Sequence, residues 1–286
     1  MSSATPGSYY LPNPSSWPII GSMGLFTLAF GFVLTLNSVG PGPWIMLLGA
    51  AIIIFMMFGW FGKVIDESEG GIYNAQVDRS FRMGMAWFIF SEVMFFAIFF
   101  FALFYVRIIS VPMIGGAFDG GSTHMLWPSF NAMWPTSGPK GNPFTPMAAW
   151  GIPAINTLIL LSSGATVTWA HWGLLKDNRA QLIIGLILTV ALGITFIALQ
   201  ATEYTHAYTE LGLTLKSGVY GSTFFMLTGF HGFHVTMGTI MLLVVLIRSM
   251  KGHFTPDHHF AFEAVAWYWH FVDVVWLGLF IFVYWL

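Results

Sequence analysis

The chain has 286 residues, 56 % of them hydrophobic, 18 % aromatic and only 8 % charged, against about 25 % charged in an ordinary soluble domain. That balance places it in a membrane. Its net charge of −2 offers no basic surface for nucleic acid, and the absence of cysteine excludes disulfides, thiolate metal sites and thioether-linked haem.

The N-terminal stretch MSSATPGSYYLPNPSSWP is polar, proline-rich and uncharged. It lacks the basic flank of a cleavable signal peptide, so the first apolar run is expected to be retained. A bilayer core about 30 Å thick needs about 20 apolar residues per helical span. Seven runs meet that length, near residues 17–37, 44–61, 83–106, 149–172, 180–201, 218–247 and 262–286. Backbone amides in lipid must pair internally, and continuous apolar runs achieve this only as helices. The fold class is therefore all-α, a polytopic membrane protein with seven transmembrane helices.

The runs are unevenly joined. NSVGPGPW makes a tight turn between the first two, and residues 1–62 read as one segment carrying helices 1 and 2. The charged connector GKVIDESEGGIYNAQVDRSFR, assigned to residues 63–82, leads to a five-helix bundle over 83–286. The long interruption from Pro112 to Met147 is rich in Gly, Pro and Trp, which is loop chemistry with interfacial aromatics. No internal repeat and no phosphate-binding glycine loop occurs.

Cationic residues set an expected orientation. Lys63, Arg79, Arg82, Lys176, Arg179, Arg248 and Lys251 fall on one side, and only Arg107, Lys140 and Lys216 on the other. The positive-inside rule then puts the N-terminus in the cytoplasm, or its organellar equivalent, and the C-terminus in the periplasm.

The residues with chemistry are the ionisable ones inside the spans: Glu92, His171, Glu203, His231, His234, Glu263, His270 and Asp273. Each charged form costs about 2.5–3.5 kcal/mol at mid-membrane, so each should face protein, a headgroup or a partner. His231 and His234 lie about 300° apart around a helix, nearly one stripe. They could share a metal, but polar side chains at such sites more often tie helices together, and Glu263 or Asp273 are plausible partners. Glu263, His270 and Asp273 occupy one face of the last span, as a proton relay or a buried hydrogen-bond ladder. Glu92 has no basic residue within four positions in WFIFSEVMFFAIFFF, and desolvation there favours the neutral acid.

Four stretches in order, SEVMFF, NTLILLSSGATVTWAH, GVYGSTFFMLTGFHGFHV and FEAVAWYWHFVDVVWLGLF, resemble subunit III of the heme-copper cytochrome c oxidases, and the likeness runs from LPNPSSWP to the C-terminal YWL. The resemblance implies a non-redox core subunit of a proton-pumping oxidase that passes electrons from cytochrome c to oxygen. It implies oxidase subunits I and II as partners, with haem and copper held there. Cytochrome c would be met only through the complex. No cofactor, metal or catalytic residue is expected in this chain; bound phospholipid is. The implied location is the bacterial cytoplasmic membrane or the mitochondrial inner membrane.

In that family two helices splay from five around a lipid-filled cleft. Carried over by motif, the lipid-binding candidates are Trp60, Glu67, Gly84, Glu92, Arg248 and His259, while His171, His231, His234, Glu263, His270 and Asp273 become structural polar residues inside the membrane. This chain departs from the family pattern at GIYN, where twin histidines are common, and at TWAHW, which leaves His171 without a neighbouring histidine. Two alternatives differ in function. Subunit III of a quinol oxidase resembles the last five spans alone, and an independent transporter would require an internal repeat or broken helices that the sequence lacks.

Overall fold

The computed structural model describes residues 13–118 and 122–286; most of the polar N-terminal stretch lies outside them. The principal helices are α1 (Trp17–Leu36), α2 (Gly42–Glu69), α3 (Ala75–Tyr105), α6 (Ile152–Leu175), α7 (Arg179–Thr209), α8 (Gly218–Lys251) and α9 (Phe260–Leu279). Two short ones, α4 (Val111–Ile114) and α5 (Ser122–Leu126), follow α3. Among the described residues seven helical segments are long and apolar enough to cross a membrane, so the expected number of spans is met. The helices outrun the apolar runs: α2 continues to Glu69 and α3 begins at Ala75, so most of the connector 63–82 is helical, broken by a short turn.

Local chemistry sets the ends. Proline stands in the first turn of α1, α2 and α6, where its missing N–H costs nothing. Asn178 caps α7 by accepting a hydrogen bond from the Gln181 amide at 3.1 Å. Gly252 ends α8 at φ 85°, a left-handed conformation suited to glycine. Near Pro112, which cannot donate an amide hydrogen, α3 widens into a π-helical turn over Val106–Ser110.

The chain divides into two compact units at Phe81/Arg82. In the first, α1 and α2 pack through glycine. The buried residues of these two helices are Gly21, Gly24 and Gly31 on one and Gly42 and Gly49 on the other. A Cβ at Gly49 would fall on the backbone of Leu28, and one at Gly31 on that of Met46. Lipid tails are as apolar as leucine, so close backbone approach drives such pairing rather than burial of large side chains. Those point outward: Phe26 and Phe58 are 72 % and 76 % exposed.

In the second unit α6 packs on α7 and α9, and α8 on α7 and α9. Trp269 and Trp276 of α9 are fully buried and donate their indole N–H groups to Ser163 and Thr157 of α6, each at 2.9 Å. From α3, Phe95 and Phe99 reach Phe230 of α8 at ring distances of 5.0 and 5.2 Å, while Phe88 stacks near Tyr268 of α9. The loop before α6 is irregular yet docked, with Phe144 stacked on Tyr220 at 5.1 Å and the Thr145 amide bonded to the Leu211 carbonyl.

Candidate functional site

The polar residues inside the second unit resolve into separate clusters. His231 on α8 is fully buried, with its ring between Phe196 at 5.7 Å and Trp276 at 5.1 Å. Its Nε2–H donates to the Val272 carbonyl of α9 at 3.2 Å. His234 turns the other way. Its Nδ1–H donates to the Phe230 carbonyl at 2.6 Å, and its Nε2 meets Glu92 Oε2 of α3 at 2.8 Å.

The pair opened on one stripe therefore separates, one histidine tying α8 to α9 and the other tying α8 to α3. Neither uses Glu263 or Asp273, the partners anticipated from sequence. Glu92, without a base near it in the chain, obtains one from another helix. A carbonyl only accepts, so His234 Nδ1 carries a proton. The Nε2 contact with Glu92 is then either an imidazolium donating to a carboxylate or a carboxylic acid donating to a neutral ring.

The acidic face of α9 is not one continuous relay. His270 Nδ1 stands 3.7 Å from Asp273 Oδ2, and its Nε2 lies 3.2 Å from Thr168 Oγ1 of α6. Both residues border an open recess shared with Gly164 and Trp172. Glu263, at the start of α9, instead pairs with Arg82. Glu203 of α7 joins a further group: its Oε1 accepts from the Tyr284 hydroxyl at 2.7 Å, Gln200 Nε2 reaches the same hydroxyl at 3.5 Å, and Asn156 Nδ2 reaches Gln200 Oε1 at 3.4 Å. The π-helical turn over Phe280–Trp285 presents Tyr284 to this group.

Of the residues proposed from sequence to meet lipid, Trp60 and Glu67 belong to the first unit and Gly84, Glu92, Arg248 and His259 to the second. Trp60 is exposed, and Glu67 accepts from the Tyr73 hydroxyl at 2.8 Å with Lys63 4.0 Å away. Gly84 faces open space, where an added Cβ would meet nothing within 4 Å. Arg248 is largely buried, with its guanidinium over the Phe254 ring at 4.6 Å. His259, the N-cap of α9, donates from Nδ1 to the Thr255 carbonyl at 3.1 Å.

One grouping was missed in the sequence. His171, His259 and Glu263 bring three ligand-type atoms within 4.8 Å of one another. The spacing His259-x3-Glu263 was visible as one helical turn, but nothing in the sequence placed His171 beside it. Arg82 and Tyr284 were likewise unread as partners, because each meets its carboxylate from a distant part of the chain.

Comparison with known proteins adds an independent line. A family model described as Cytochrome c oxidase subunit III matches residues 7–286. Among similar curated proteins, cytochrome c oxidase subunit 3 of Marchantia polymorpha is 44 % identical over 278 residues, covering 97 % of this chain and 96 % of the relative. The subunit 3 proteins of Arabidopsis thaliana and Phoca vitulina are 43 % and 40 % identical over 279 residues, covering 97 % of this chain and 96 % and 97 % of the relatives.

Proposed function

The chain belongs to the cytochrome c oxidase subunit III family, and from that membership we propose that it is the non-redox core subunit of a proton-pumping oxidase, stabilising the catalytic subunit and binding phospholipid. Membership makes it an integral membrane part of an oxidoreductase complex with other oxidase subunits. The observation that carries the reading is the match over residues 7–286, which includes the N-terminal helix pair. A quinol-oxidase type would resemble the last five spans alone.

In this reading haem and copper reside in subunits I and II, and electron transfer from cytochrome c bypasses this chain. Support comes from how the buried histidines are used. His231 commits Nε2 to a carbonyl, and His234 commits both nitrogens to groups on its own helix and on α3, so the pair acts as interhelical ties. The phospholipid candidates remain Trp60, Glu67, Gly84, Glu92, Arg248 and His259. The N-terminus faces the cytoplasm and the C-terminus the periplasm, on the count of Lys and Arg residues.

The test is to tag this chain, purify it in mild detergent, and compare the oxidase made with and without it. Haem and copper should travel with the tag. The complex lacking the chain should keep its haem spectrum and initial electron-transfer rate but lose activity sooner during turnover. Loss of haem from an otherwise intact complex would show that the chain helps hold a redox centre.

A further inference from the structure

We propose that His171, His259 and Glu263 form a binding site for a zinc-type divalent cation, which clips the C-terminal end of α6 to the start of α9. Their ligand atoms all lie within 4.8 Å of one another. Around a tetrahedral zinc ion with bonds of about 2.0–2.2 Å, neighbouring donors stand roughly 3.3 Å apart. Closure therefore needs shifts of about 1 Å, within reach of side-chain rotation.

The state of each donor suits a cation. His259 donates Nδ1–H to the Thr255 carbonyl, which leaves the Nε2 lone pair for a ligand. This carbonyl contact is the usual outer support of a metal-bound imidazole, fixing tautomer and ring orientation together. His171 Nε2 is sealed from solvent and has no hydrogen-bond partner, a costly state unless something else satisfies it. Its ring is held between His259 at 5.5 Å and Phe262 at 5.2 Å. Glu263 supplies the negative charge. Arg82 grips one side of its carboxylate, so one oxygen can face the guanidinium while the other faces the ion.

Two imidazole nitrogens and one carboxylate oxygen favour zinc, cobalt or copper over magnesium or calcium, which take all-oxygen shells. The set leaves one position for water. His171 lies four residues before the end of α6, and His259 stands immediately before the first residue of α9. The cluster thus sits at helix ends, away from the apolar middle of the spans.

The intact purified complex should be equilibrated with micromolar Zn2+, freed of excess by gel filtration, and analysed for zinc and by anomalous diffraction at the zinc edge. The expected result is anomalous density among the three side chains and one zinc per chain whose affinity His171→Gln and His259→Gln each lower by at least the roughly 10–100-fold that loss of an outer-shell partner costs. His206→Gln, at an exposed histidine paired with Glu210, should leave that zinc in place. Density elsewhere but none at the cluster would overturn the proposal, as would assembled His171 and His259 variants that hold zinc like the parent. If either variant fails to assemble, the parent's anomalous map still decides.

Discussion

Glu92 of α3 and His234 of α8, 142 residues apart, are joined by a 2.8 Å contact between Oε2 and Nε2. Around it stand Phe95 and Phe96, with ring centres 6.0 and 5.0 Å from the imidazole, and Tyr268 at 6.2 Å. The carboxyl group is thus set among rings of α3, α8 and α9, where an apolar reagent can reach it more readily than a water-soluble one. Glu92 should react with an apolar carbodiimide, its carboxyl oxygen adding to the central carbon as the acid proton passes to a carbodiimide nitrogen. Glu92→Gln keeps the shape and a donor toward His234, so it should abolish the main labelling while the complex still assembles. Undiminished labelling of that variant, mapped by peptide mass spectrometry, would locate the reactive acid elsewhere.

The Glu203 and Tyr284 pair predicts an asymmetry between breaking a buried polar contact and deleting it. Glu203 is 1 % exposed, and its Oε2 has no hydrogen-bond partner. Tyr284→Phe removes the donor to Oε1 and should destabilise by about 1–3 kcal/mol. Adding Glu203→Met, which removes the stranded acceptor as well, should recover much of that loss. Detergent titrations that follow release of this chain from the complex would measure both, and a double variant weaker than the single one would refute the reasoning.

Glycine in the first unit gives a steric test. Gly49→Val should separate α1 from α2, since even a Cβ at that position meets the Leu28 backbone. Gly62→Ala, where an added Cβ meets nothing within 4 Å, should be tolerated. Cysteine pairs placed across α1 and α2 should crosslink in the second variant and fail to do so in the first.

Arg248 carries the lipid expectation. A guanidinium offers several donors to one phosphate, and this one lies near the C-terminal end of α8. Arg248→Ala should lower copurified phospholipid, measured by mass spectrometry, and shorten working lifetime under continuous oxygen consumption with the initial rate little changed. A full lipid complement in the variant would remove Arg248 from the headgroup site. Lipid loss with an unchanged lifetime would break the link between bound lipid and durability.

Composition and run length alone determined that this chain is all-helical with seven helices long and apolar enough to cross a membrane, because a bilayer imposes a span length and forbids unpaired backbone. Motif order was enough to identify the family. The helix ends were less legible: α2 and α3 extend well into the charged connector, since backbone hydrogen bonding continues past the point where hydropathy falls. Partnership was hidden altogether. Glu92 looked solitary because its base lies on α8, His231 and His234 looked paired because helical spacing says nothing about which neighbour each ring meets, and Glu263 looked like part of a relay until Arg82 reached it. A polar group in an apolar interior takes the nearest satisfying atom in space, and only tertiary packing decides which atom that is.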